Sequence, residues 1–204
     1  MHLIPTQDEV VAVLRDTGGL RDGHFQYRSG MHSNEYLQVP LTMRYYQYQR
    51  MFSVGLSRLL RANPEIRALL PQVSIVAPAT GGLPVAYGVC EALRARQVYW
   101  AENGPRGEGL QFRQYLEQHA GEPVILVDDI LRSGNKLSQL KKLLESNGAQ
   151  VIALAVIIYQ PNPQMHDFGS LPLYYLAKLE ASYYADGARC ELCKRGLRLE
   201  TVWT

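Results

Sequence analysis

Residues 124–137, Val-Ile-Leu-Val-Asp-Asp-Ile-Leu-Arg-Ser-Gly-Asn-Lys-Leu, constrain this chain more than any other segment. An apolar run ends in adjacent carboxylates, Asp128 and Asp129, and a short polar stretch with Ser133, Gly134 and Asn135 follows. Leu137, Leu140, Leu143 and Leu144 then recur at helical spacing. The pattern predicts a buried strand at 124–128, a loop at 128–136 and a helix to about Asn147, where Gly148 stops it. Unpaired N–H groups at such a helix start attract phosphate, and the helix dipole favours the anion. Carboxylates at the strand end add acceptors for sugar hydroxyls or a divalent cation. Successive strand residues point to opposite faces, so the two acids cannot both be solvated surface groups. Together these parts suit a phosphorylated sugar.

The remaining chain reads as strand and helix in alternation. Thr6-Gln7-Asp8-Glu9 matches a capping box and opens a helix at 7–16, closed by Gly18 and Gly19. Residues 23–39 alternate as a hairpin about Ser29-Gly30. A helix is expected at 46–62, with Phe52, Leu56, Leu59 and Leu60 on one face, and Pro64 and Pro71 bracket the connection after it. A strand at 73–77, a loop at 78–82, a helix at 83–95 and a strand at 98–102 follow. Residues 103–122 are Gly-rich and weakly periodic, the profile of a mobile loop. A strand at 151–158 completes the set. Such alternation implies a parallel sheet with helices on both faces, whose ligands bind beyond the carboxyl ends of the strands. The loops at 78–82 and 128–136 should therefore face one crevice.

At 204 residues the chain fits one domain, and 47% hydrophobic content is enough to bury a core. A net charge of +2 argues for neither a nucleic-acid nor a membrane partner. The opening Met-His-Leu-Ile-Pro-Thr-Gln-Asp-Glu is acidic where a secretory leader would be basic. No apolar stretch approaches the roughly 20 residues of a membrane helix, so a cytoplasmic enzyme is expected. Three cysteines give no disulfide framework. Cys90 reads as a small buried hydrophobe within a helix. Cys190-Glu-Leu-Cys193 reads first as a reduced turn, ahead of a metal site or a redox pair. A zinc site needs further ligands, and His166 or a symmetry mate is the available source. His24 and His32 read as hydrogen-bonded surface groups within reach of a base, and His119 and His166 as solvated loop residues. Tyr45, Tyr46 and Tyr48 read as packing at a helix start or a subunit contact.

Residues 128–136 resemble the phosphoribosyl pyrophosphate (PRPP) motif of type I phosphoribosyltransferases, and further segments narrow the resemblance to orotate phosphoribosyltransferases. Residues 23–38 are similar to that family's N-terminal hood hairpin, Ala77-Pro-Ala-Thr-Gly-Gly-Leu83 to its pyrophosphate loop, and Cys190-Glu-Leu-Cys-Lys-Arg-Gly196 to the tail of one branch. The resemblance implies an α/β phosphoribosyltransferase-like parallel sheet flanked by helices, with a small N-terminal hood. It divides one domain, 1–204, into a helix and hood hairpin (1–45), a core (46–175) and a C-terminal tail (176–204). It also implies transfer of phosphoribose from PRPP to a pyrimidine base, orotate first, with Mg2+ as cofactor and a homodimer as assembly. PRPP contacts fall to Asp128, Asp129, Ile130, Leu131, Arg132, Ser133, Gly134, Asn135 and Lys136, with Asp128 and Asp129 also catalytic and metal-binding. Ala79, Thr80, Gly81 and Gly82 would hold pyrophosphate, and Phe25, Arg132 and Gln160 would meet the base.

The chain departs from the family pattern in places that carry chemistry. Asn103 stands where the mobile loop usually carries a cation, which leaves Arg106 as the nearest candidate and Arg113 as the next. Tyr159-Gln160 replaces an Asp-Arg whose arginine pairs with the orotate carboxylate, and Gln160 cannot form that bidentate ion pair. Arg132 replaces a Thr, and Val39-Pro40 lacks a lysine. Gln160 leaves a different base open as acceptor, and Asn103 leaves open a PRPP- or nucleotide-sensing regulator without catalysis.

Overall fold

The computed structural model describes residues 3–105, 107, 109–113 and 120–202. Helix α1 (Gln7–Asp16) starts at Thr6, whose hydroxyl accepts from Glu9 N while the Glu9 carboxylate accepts from Thr6 N. The hairpin follows as β1 (Leu20–Gln26) and β2 (His32–Leu37). Its turn uses Gly30 at φ +84°, a left-handed conformation that suits a residue without Cβ. Two short helices that the hydrophobic pattern does not announce, α2 (Pro40–Met43) and α4 (Pro64–Leu69), each begin on a proline and flank α3 (Tyr46–Ala62).

The alternating half comprises β3 (Ser74–Pro78), α5 (Gly82–Leu93), β4 (Gln97–Asn103), β5 (Leu110–Gln111), β6 (Pro123–Leu131), α6 (Asn135–Ser146) and β7 (Gln150–Tyr159). A strand absent from the sequence pattern, β8 (Leu173–Lys178), pairs parallel to β7. The sheet order is β5-β4-β3-β6-β7-β8, parallel except for β5. Alternation along the strands divides the core between two faces. Ile75, Ala77, Ile125, Val127, Ala153 and Ala155 pack with α1, α3 and α5, while Val76, Val124, Leu126, Leu154 and Val156 pack with α6. Burial on both faces explains why these strands read as unbroken apolar runs.

From β3 the chain crosses to β4 on one side, and β6 lies on the other. That reversal opens a crevice at the carboxyl ends of β3 and β6. A smaller sheet, ordered β10-β1-β2-β9, stands over it. Its outer strands, β9 (Tyr183–Tyr184) and β10 (Glu200–Thr201), come from beyond β8, with α7 (Glu191–Lys194) between them. The segment expected as a tail thus supplies both edges of the hood. No helix is long and apolar enough to cross a membrane among the described residues.

Candidate functional site

The acid pair lies inside a strand and not after one. The sequence ends that strand at Asp128, but β6 stays paired with β7 as far as Leu131↔Tyr159. Asp128 is buried, and its Oδ1 accepts from Asp129 N at 3.0 Å. Asp129 Oδ1 accepts from Ile130 N at 2.9 Å. Burial, then repulsion from Asp129, holds Asp128 well above the usual carboxylate range, with Lys136 pulling the other way. Burial also raises Asp129, opposed by its hydrogen bonds and by Arg132. Two desolvated carboxylates with hard oxygen donors fit a divalent cation.

Facing them is the turn from β3 into α5. Ala79 N is anchored to Ala101 O at 2.8 Å, and Leu83 N to Thr80 O at 3.2 Å. A Cβ on Gly81 would lie 3.0 Å from Asp129 Oδ1, and one on Gly82 would lie 3.1 Å from Asp128 Oδ1. The absent side chains let this loop close on the acid pair, so the two expected loops do share a crevice.

The third wall is the passage into α6. Gly134 caps the helix at φ +72°. A Cβ there would meet the Phe168 ring at 2.8 Å. Ser133 O accepts from His166 N at 2.8 Å, and Asn135 Oδ1 bonds His166 Nε2 at 2.5 Å. His166 therefore buttresses the turn into α6 from outside. Leu131 is buried, whereas Lys136 and Asn135 are exposed at the mouth of the crevice. A cavity of about 540 Å³ runs from Leu37 and Pro40 of the hood side to Gly81, the acid pair and the residues up to Leu137.

Above the cavity, Arg132 and Gln160 meet each other. Arg132 Nε donates to Gln160 Oε1 and Nη2 to Leu37 O, both at 3.0 Å, with the guanidinium 5.3 Å from the Tyr27 ring centroid. Gln160, only 1% exposed, also accepts from Tyr183 Oη at 3.0 Å and donates to Glu35 Oε2 at 3.2 Å. Burial raises the Glu35 carboxyl above its ordinary value. Tyr27, Glu35 and Tyr183 are functional candidates that sequence reasoning missed. Glu35 and Tyr27 lay within the hairpin already marked as a hood, but nothing local singled out Tyr183.

Other expected residues lie elsewhere. Phe25 packs with Tyr36 and Val202 in the hood's own small core, away from the cavity lining. Its neighbour Tyr27 makes the contact to Arg132 instead. Arg106 and His119 fall outside the described residues. Arg113 pairs with Glu102 at 3.6 Å, and Asn103 lies opposite Leu110 in the β4–β5 ladder. Pro40 opens α2 at the cavity edge. His24 and His32, expected at the surface, are both 3% exposed and lie beside Cys190 and Cys193. Cys90 is half-buried, its thiol directed at Ala95 O.

Residues 68–169 match the phosphoribosyl transferase domain model. The chain is 31% identical over 192 residues to an orotate phosphoribosyltransferase of Heliobacterium modesticaldum, covering 94% of each chain. It is 30% identical over 195 residues to one from Thermus thermophilus, covering 95% of this chain and all of that one. In fold it is similar to the crystal structure of orotate phosphoribosyltransferase from Aeropyrum pernix, with a TM-score of 0.67 at 21% identity, over 83% of this chain and 93% of that one.

Proposed function

The chain belongs to the orotate phosphoribosyltransferases, and from that premise we propose that it joins a ring nitrogen of orotate to C1 of PRPP. The bond from C1 to the pyrophosphate oxygen breaks, the N–C1 bond forms, and the nitrogen's proton leaves with pyrophosphate as second product. The observation that carries this reading is the meeting of the Asp128–Asp129 pair, the Gly81–Gly82 loop and the start of α6 around one cavity.

In the reaction, positive charge develops on the ribose and negative charge on the leaving pyrophosphate. Asp128 and Asp129 hold the ribose 2′ and 3′ hydroxyls and face the developing positive charge at short range. Backbone N–H groups from Arg132 to Lys136 hold the 5′-phosphate, and Lys136 adds a charge-assisted contact. The backbone from Ala79 to Gly82 holds pyrophosphate, and Arg106, outside the described residues, is the cation that the family resemblance assigns to it. Asp128 and Asp129 would hold magnesium, directly or through ribose hydroxyls, and the ion would supply neutralisation of pyrophosphate. Alignment of both substrates in one cavity lowers the barrier by several kcal/mol, on the order of what restricted approach provides.

Arg132 takes the role that an arginine at position 160 has in the family pattern, and Gln160 acts as a positioning residue that aims it. Supporting this, the guanidinium is held between Gln160 and Leu37 O beside the cavity. Gln160 also motivates a second reading, a different base as acceptor. The exposed Tyr46 on α3 and Tyr87 on α5 support a homodimer through that face, and the reaction belongs with nucleotide biosynthesis in the cytoplasm.

The test is loss of orotate absorbance on adding the chain with PRPP and magnesium, beside a panel of other bases. Orotate consumption supports the first reading, and consumption of another base supports the second. PRPP binding by calorimetry with no base consumed would point to a regulator instead. Asp129→Asn is expected to abolish turnover with the fold intact, and unchanged turnover would remove Asp129 from the mechanism.

A further inference from the structure

A closed set of metal-ligating atoms lies in the hood, outside the crevice. His24 Nε2, His32 Nδ1, Cys190 Sγ and Cys193 Sγ all fall within 4.8 Å of one another. His24 Nε2 lies 3.0 Å from His32 Nδ1, 3.4 Å from Cys190 Sγ and 3.5 Å from Cys193 Sγ. Cys193 Sγ lies 3.4 Å from His32 Nδ1. A tetrahedron with ordinary zinc bond lengths has edges of about 3.3 Å between nitrogens and about 3.6 Å between nitrogen and sulfur. The four edges given match these figures to within a few tenths of an ångström, and the other two lie within 4.8 Å.

The local structure explains the convergence. His32 lies opposite Gln26 in the hairpin, and the register shift between Asp22 and Phe25 sets His24 beside it, with the two ring centroids 5.1 Å apart. Cys190 caps α7 and Cys193 follows three positions on, which places both thiols on one side of that turn. His24 Nδ1 lies 2.9 Å from Leu197 O, a bond in which that nitrogen must donate. With Nδ1 so engaged, Nε2 is the ring nitrogen turned toward the other ligands. A backbone carbonyl behind a histidine is the usual support of a metal ligand. His24, His32 and Cys190 are buried and Cys193 is half-buried, so the set is largely shielded from solvent.

We propose that these four residues bind one structural zinc ion, which ties the β1–β2 hairpin to the segment at 190–197. His166, the ligand the sequence suggested, is engaged with Asn135 instead. The ion does no chemistry on the substrates. It fixes the sheet that carries Tyr27, Glu35 and Tyr183, and so holds the wall above the cavity in place.

The experiment measures metal in the full chain, produced without a metal-affinity step and purified under reducing conditions. Elemental analysis is expected to find close to one zinc per chain, falling to background in Cys190→Ala and His32→Ala and unchanged in His166→Ala. Cobalt exchanged into the wild-type chain should give a thiolate-to-metal charge-transfer band and the visible bands of a tetrahedral site. Should the buried variants fail to fold, Cys193→Ser and titration of wild type with a thiol reagent, with released zinc read by a chromogenic chelator, give the same answer. Chelator-treated chain is expected to become protease-sensitive between residues 180 and 202. Metal-free protein that also gives no cobalt spectrum would overturn the proposal, as would zinc retained in both alanine variants. A Cys190–Cys193 disulfide found by mass spectrometry in the freshly prepared protein would overturn it too.

Discussion

Gln160 links the hood to the main sheet over the cavity, and Gln160→Leu tests that role with little change in volume. The substitution removes the bonds to Arg132, Glu35 and Tyr183 at a position 1% exposed. A bond to a charged group contributes roughly 1.5–3 kcal/mol and a neutral one about 1 kcal/mol, so the three together reach about 4–7 kcal/mol. Glu35 and Arg132 are only half-buried, and water reaching them recovers about half, leaving a loss of ~3 kcal/mol. For a chain of this length that lowers Tm by roughly 6–12 °C. Calorimetric melting reads the stability, and initial rates read the site. KM for the base should rise by about tenfold or more, equivalent to ~1.4 kcal/mol, while KM for PRPP stays near wild type. Tyr183→Phe in the same background should then cost little, since its partner is already gone. A Tm shift below ~2 °C with an unchanged KM for the base would refute the positioning role of Gln160.

Two further substitutions test the acid pair and the phosphate loop. Gly134→Ala combines a left-handed backbone at φ +72° with a Cβ 2.8 Å from Phe168 and 3.2 Å from Leu131. Strain and overpacking together should destabilise by about 2–4 kcal/mol and raise KM for PRPP, and wild-type melting with wild-type PRPP affinity would count against the geometry of this loop. Asp128→Asn keeps an acceptor for Asp129 N and removes a buried charge. Because the folded pair binds protons that the unfolded chain has released, its contribution to stability is full below the ordinary value of 3.8 and is lost as pH rises through the raised folded value. With a chelator present, Asp128→Asn should melt at or above wild type at neutral pH, with a flatter dependence of Tm on pH above 3.8, and should not turn over. A lower Tm with the wild-type slope would mean that the pair is not desolvated.

What could be read in advance was whatever the chain encodes locally. The capping box at Thr6 and Glu9, the glycines after α1 and α6, and the apolar periods of α3 and α6 are short-range signals, and the structure keeps them. The acid pair announced the crevice because two carboxylates at the end of a buried strand are costly to desolvate unless a ligand or cation meets them. The end of β6 was misjudged because acids read as loop residues, whereas here their carboxylates accept from the next N–H groups along the strand. Strands of two residues, such as β9 and β10, carry no period to detect. The pairing of Gln160 with Glu35 spans 125 positions and that of His24 with Cys190 spans 166, distances over which spacing says nothing.

The placement of β10 beside β1 also orders events during synthesis. Arg21 pairs with Glu200 across 179 positions, while the acid pair, the Gly81 turn and α6 all lie within residues 78–146. Local contacts form before distant ones, and the emerging chain folds from its N-terminal side first. The crevice around the acid pair can therefore assemble before the hood has both of its edges. A chain halted near residue 180 would possess the crevice, Arg132 and Gln160, and would lack Tyr183 and both outer strands of the sheet above them.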